Sequence, residues 1–154
     1  MGEGIGESLR ERIQSLVSHR LEVARCFLEE RGFKDALSVY REAGGSCLKH
    51  LMQWDAHGYE ELAATARSAA VPLLDLYAVS NLTDVRDIAS RDRHVGDEDE
   101  GCTAFMVPER STTPLILGQT WDLNRGDIEY VVGIHRLPDD APETWSVTVA
   151  GTPT

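Results

Sequence analysis

Lysine is nearly missing from this chain. Lys34 and Lys49 are the only two, and the other basic residues are arginines, 15 cations in all against 26 acidic side chains. The formal net charge of −11 offers none of the clustered cations that nucleic-acid phosphates or anionic membranes need, so neither is expected as a partner. Cysteine is scarce too: Cys26, Cys47 and Cys102 are odd in number and form no Cys-x-x-Cys. That argues against a disulfide framework or a cysteine-built zinc site and favours an intracellular, cytoplasmic home. No apolar run approaches the roughly 20 residues of a membrane helix. The start, Met1-Gly2-Glu3-Gly4-Ile5-Gly6-Glu7, lacks a basic stretch followed by an apolar one, so no signal peptide is read there. There is no phosphate-cradling P-loop, no Gly-x-Gly-x-x-Gly and no Gly-x-Ser-x-Gly. His50 and His57 have no third ligand nearby, so no metal is expected.

What is present changes character near residue 100. Before it the apolar residues recur at helical spacing. Ser8 and Glu11 fit a capping box. Leu9, Ile13, Leu16, Val17, Leu21, Ala24, Phe27 and Leu28 then fall on one stripe. Gly32 is placed to end that helix in a left-handed conformation. A second stripe from Phe33 through Leu37 and Tyr40 is expected to stop at Gly44-Gly45. Leu48, Leu51 and Met52 suggest a short third helix. Glu60–Ala70 reads as a fourth, with Leu62, Ala63, Ala66 and Ala70 inward, and Pro72 opens a fifth with a break at Asn81. Cys26 and Cys47 read as packing residues in these helices. Residues 91–101, with His94 and Asp97-Glu98-Asp99-Glu100, have almost nothing to bury and read as an exposed loop.

After residue 101 the period becomes that of strands: Thr103–Val107, Leu115–Gln119, Tyr130–His135 and Trp145–Ala150. His135 could face the core. An antiparallel sheet is expected, making the chain α+β with a helical part, 1–101, and a β-rich part, 102–154. Four short strands need a covering layer that little of the remaining sequence supplies, so the sheet is expected to be incomplete within these 154 residues.

Cys102 follows the polar loop and opens an apolar strand, with Gly101 before it. Glycine tolerates backbone conformations closed to other residues, and it puts no side chain in the path of a sulfur attacking its carbonyl. Attack by the Cys102 thiol on Gly101 would move the acyl group from nitrogen to sulfur. Water would then release the upstream chain and leave Cys102 with a free α-amino group. With an unperturbed pKa of roughly 7.7–8.0, that amine is suited to take the proton of its own thiol.

Gly101-Cys102-Thr103-Ala104-Phe105, followed by Gly118-Gln119-Thr120-Trp121-Asp122, resembles the acyl-coenzyme A:6-aminopenicillanic acid acyltransferase (isopenicillin N acyltransferase-like) family of self-cleaving N-terminal nucleophile hydrolases. That family's pattern is Gly-Cys-Thr, a variable turn, then Gly-Gln-Asn-Trp-Asp, so Thr120 stands where it has Asn. Residues 71–81 resemble the helix before the family's cleavage loop, and the resemblance covers roughly residues 55–135. It implies a four-layer αββα sandwich, cleavage at Gly101–Cys102, and retention of residues 1–101 as a small subunit bound to the large one. It implies Cys102 as nucleophile and Asp122 as an assisting carboxylate, with no cofactor. The substrate class would be small-molecule amides or coenzyme A thioesters, with the oxyanion donors outside this chain. Asp122 near the new α-amino group could orient it and tune its pKa. Thr103, Gln119 and Trp121 are candidates to line the pocket, and Gly118 to permit close backbone approach. Two rivals stand beside this reading: a hydrolase that never uses coenzyme A, and a non-catalytic helical interaction module that uses the Leu9–Leu28 stripe as its partner surface.

Overall fold

The computed structural model describes residues 1–91, 102–110, 114–139 and 141–152. The protein is α+β. Six helices come first: α1 (Gly2–Ser8), α2 (Arg10–Glu30), α3 (Ala36–Trp54), α4 (Ala56–Ala69), α5 (Leu73–Ser80) and α6 (Leu82–Ser90). Four strands follow: β1 (Ala104–Val107), β2 (Ile116–Gln119), β3 (Val131–Arg136) and β4 (Thr144–Val149), with a 3-10 helix, Arg125–Tyr130, between β2 and β3. No single helix among the described residues is long and apolar enough to cross a membrane.

The stripe on α2 is the spine of the core. Ile13, Val17, Ala24 and Leu28 are buried in packing with Leu62 and Ala66 of α4, Tyr40 of α3, and Leu76, Ala78 and Val79 of α5, while Leu16 is buried against Tyr130 and Val149. Each fully buried Leu, Ile or Val contributes about 1.5–3 kcal/mol. Ile13, Leu16, Val17, Ala24 and Leu28 of the Leu9–Leu28 stripe thus face the protein's own core, while Leu9, Leu21 and Phe27 are only partly buried. Gly32 has φ 81, and the amides of Gly32 and Phe33 donate back to the carbonyls of Glu29 and Leu28, so it closes α2 as expected.

Four local expectations are corrected. The Ser8–Glu11 capping box does not form: Ser8 is the last residue of α1, and α2 starts after Leu9 with no side-chain cap. Tertiary contact decides this, since Gly2 and Gly6 lie so close to the Glu61–Ala69 face of α4 that a Cβ on either would overlap it. Gly44-Gly45 do not stop a helix, because α3 runs through them. Gly44 is buried, and a Cβ there would lie 2.9 Å from the Ala78 Cβ, so its bareness lets α3 and α5 pack closely. Ala70 is not inward; it is exposed, with φ 56, and closes α4. Cys26 is not a packing residue but lies exposed beside Glu22 and Arg25.

The strands form two separate two-stranded antiparallel sheets rather than one. In β3–β4, Val132↔Thr148 and Ile134↔Ser146 turn inward, with Tyr130, Val149 and Ala150 buried on α2 and its neighbours. The opposite face carries Gly133↔Val147 and His135↔Trp145. His135 therefore faces out, not into the core. Its ring stacks on Trp145 at 3.8 Å and its Nε2 lies 2.7 Å from Glu143 Oε1. The β1–β2 ribbon has no buried face: Phe105, Met106, Val107, Ile116 and Leu117 are all exposed. Its Gly118 sits under the ring of its cross-strand partner Phe105, an arrangement in which an aromatic side chain covers a bare strand position.

Candidate functional site

The register of β1 and β2 brings the two sequence motifs to one end of the ribbon. Ala104 pairs with Gln119 and Phe105 with Gly118. One step further, the Thr120 amide donates to the Thr103 carbonyl at 2.8 Å, and the Thr103 amide donates to Thr120 Oγ1 at 2.9 Å. Cys102 is the next residue on one strand, and Trp121 and Asp122 the next on the other. Thr120, where the family pattern has Asn, uses its hydroxyl to close the ladder. Cys102 is exposed. The cleavage position at Gly101, His94 and the Asp97–Glu100 run lie outside the described residues.

Past Thr120 the chain leaves the ribbon and lies down on the helices. Trp121-Asp122-Leu123-Asn124 forms one wall of a cleft of about 170 Å³. The α5–α6 junction, Ser80–Asp84, forms another, and Arg20 and Thr152 close it. Of the candidate residues, Trp121 and Asp122 border this cleft, while Cys102, Thr103 and Gln119 do not. A larger open hollow of about 770 Å³ between α1, α2 and Tyr130 is remote from both motifs.

The cleft is anchored by a buried ion pair. Arg20 Nε and Nη2 donate to Asp127 Oδ1 and Oδ2 at 3.1 and 3.0 Å, and Arg20 Nη1 donates to the Val79 carbonyl at 2.7 Å. Asp127 is fully buried and Arg20 nearly so. Asn124 Nδ2 donates to the same carboxylate at 3.2 Å, and His19 Nε2 stands 3.8 Å from it. Two charges this deep require such complete pairing, because each alone would cost several kcal/mol. The pair ties the 3-10 helix, whose Asp127 lies five residues after Asp122, to α2 and α5. Among the described residues, the buried side-chain polar atoms without a hydrogen-bond partner are His19 Nε2, Ser80 Oγ and Thr152 Oγ1, and Ser80 and Thr152 are lining residues of this cleft.

Arg20, Asp127, Ser80, Asp84 and Thr152 were not singled out in the sequence. Arg20 carried a usable signal: it continues the Ile13, Leu16, Val17, Ala24 stripe at helical spacing, so a cation was bound to point into the core. Nothing local in the sequence distinguishes Ser80 or Thr152. Among the described residues no three His, Cys, Asp or Glu side chains gather as a metal site. No protein-family model, curated protein or solved structure matches the chain.

Proposed function

We propose that the chain is the N-terminal-nucleophile part of a self-cleaving cysteine amide hydrolase or acyltransferase, cut at Gly101–Cys102. The observation that supports this reading is the β1–β2 register, which brings the Gly-Cys-Thr and Gly-Gln-Thr-Trp-Asp segments to the same end of the ribbon, with Thr103 and Thr120 joined by two hydrogen bonds. The chain's α+β order, helices then antiparallel strands, is compatible with the αββα sandwich of such enzymes.

In this scheme the Cys102 sulfur attacks the Gly101 carbonyl carbon. The C–N bond breaks, the acyl group passes to sulfur, and the proton goes to the released α-amine. Water then hydrolyses the thioester and leaves a Gly101 carboxylate. In the mature protein the α-amine takes the thiol proton, and the sulfur attacks an amide or a coenzyme A thioester. The amine or thiol leaves with a proton, and the Cys102 thioester passes its acyl group to water or to an acceptor. Asp122 orients the α-amine, and Trp121 walls the adjoining space. Residues 1–101 and 102–154 would stay together through the Arg20–Asp127 pair and the Arg136–Glu61 pair.

Intact-mass spectrometry and N-terminal sequencing of the expressed protein test the reading. A fragment beginning at Cys102, absent in Cys102→Ala and slow to appear in Cys102→Ser, supports it. An enzyme active while uncut, or equally active with alanine at 102, overturns it.

A further inference from the structure

Thr103 and Thr120 stand opposite each other one step beyond Ala104↔Gln119, the end pair of the β1–β2 ladder. A hydrogen-bonded pair in an antiparallel ladder exchanges two backbone bonds, each N–H going to the other residue's carbonyl. Here the Thr120 amide donates to the Thr103 carbonyl at 2.8 Å in the regular way. The Thr103 amide donates instead to Thr120 Oγ1 at 2.9 Å. The Thr120 hydroxyl thus stands in for the carbonyl of its own residue, as a threonine side chain can do for nearby backbone. The residues that follow explain the exchange. Thr120 is the last residue before the chain leaves the ribbon, and Trp121, Asp122, Leu123 and Asn124 line the cleft with Ser80–Asp84 of the α5–α6 junction. A chain that turns off here takes its carbonyl out of the ladder, and the hydroxyl supplies the acceptor that is lost.

We propose that Thr120 is a positioning residue for the Cys102 nucleophile: its hydroxyl fixes the peptide that joins Cys102 to Thr103 while Trp121 and Asp122 turn away. The Thr103 nitrogen is bonded to the Cys102 carbonyl carbon, so holding that N–H sets the peptide plane on the C-terminal side of Cys102 and limits where the thiol can swing. The inference rests on the self-cleaving reading, in which the Cys102 sulfur must reach the Gly101 carbonyl. Such an attack tolerates little error, since a displacement of about 1 Å can cost about a hundredfold in rate. Thr120 acts through the Thr103 backbone, so its part is to place the nucleophile and not to exchange a proton with it.

The test is a time course of cleavage at Gly101–Cys102 in the full chain, refolded from urea and read by intact-mass spectrometry, for the parent, Thr120→Val and Thr120→Ser. Valine keeps the shape of threonine and the backbone bond to Thr103 but removes the acceptor; serine keeps the hydroxyl. Thr120→Val should cleave about 10–100-fold more slowly, with the Thr103 amide exchanging faster by NMR and Tm unchanged. Thr120→Ser should restore both the rate and the amide protection. The pH dependence of the rate should keep its midpoint in Thr120→Val, because the thiol carries the titrating proton; a displaced midpoint would give the hydroxyl a part in proton transfer and overturn the positioning role. A parent that stays uncut ends the self-cleaving reading and this inference with it. A parent that is cut leaves that reading standing, and the inference alone falls if Thr120→Val is cut equally fast, if Thr120→Ser is as slow as Thr120→Val, or if the slowing comes with a lower Tm.

Discussion

Replacing Arg20 with methionine should be among the most damaging single substitutions available in this protein. Methionine can follow the arginine stem, so packing along α2 is largely kept while the guanidinium disappears. Three hydrogen bonds go with it, two to Asp127 and one to the Val79 carbonyl. Asp127, fully buried, would keep only the Asn124 amide at 3.2 Å and the more distant His19. Stranding one partner of a buried pair costs about 3–5 kcal/mol, a large share of the roughly 5–15 kcal/mol that holds a domain folded. At about 2–4 °C per kcal/mol for a chain of this size, Tm should fall by about 6–20 °C. Asp127→Leu should do comparable harm by stranding Arg20. The double variant Arg20→Met/Asp127→Leu removes both charges and leaves the Val79 carbonyl short of a donor and the Asn124 amide short of an acceptor. It should therefore recover most of the loss and lie within about 2 kcal/mol of the parent. Urea denaturation of the four proteins, followed by circular dichroism, gives the complete cycle. A single Arg20→Met variant within about 1 kcal/mol of the parent, or a double variant worse than both singles, would refute the reasoning.

Two further outcomes are expected. Gly44→Ala should lose about 1–3 kcal/mol from overpacking against Ala78, outweighing the gain of about 1 kcal/mol that alanine brings to a helix interior; adding Ala78→Gly should restore stability, as thermal melts of the single and double variants would register. Glu22, held by the Arg25 guanidinium beside it, has its carboxyl lowered from the usual 4.5 to about 2. Its folded value lies below its unfolded one, so the interaction is complete above about pH 4.5 and disappears as pH falls through about 2; a carboxyl NMR titration should read that midpoint, rising with added salt because the pair is exposed and returning to the ordinary range in Arg25→Ala.

The helical half was legible because it is periodic. The Ile13–Leu28 stripe, the left-handed Gly32 and the break at Asn81 all follow from spacing and local backbone preference. The four strands were legible as apolar runs between turn residues. What escaped were features set by contacts far along the chain. Gly44 reads locally as a helix stop and is instead the bare patch under Ala78. Ser8 and Glu11 have the letters of a cap, but the docking of α1 on α4 places Ser8 inside a helix. His135 alternates correctly, yet which face of β3 is covered depends on the docking of Val132 and Ile134 against the helices. At the candidate site, Cys102, Asp122 and Trp121 could be found because they sit in a motif. The cleft that Trp121 and Asp122 border could not, because Arg20, Ser80, Asp127 and Thr152 meet only after α2, α5 and the 3-10 helix have packed.

The β1–β2 ribbon has one more consequence. Among the described residues its strands pair only with each other, and its large apolar side chains are exposed on both faces. Opening it uncovers little that water does not already reach, so it can exchange and re-form while the helical body stays folded. Substitutions at Phe105, Met106 or Leu117 would therefore barely move a melting curve. A screen that ranks variants of this protein by Tm would be blind to the stretch of chain that carries Cys102, and only readouts local to the ribbon, such as amide exchange or modification at the thiol, would see it change.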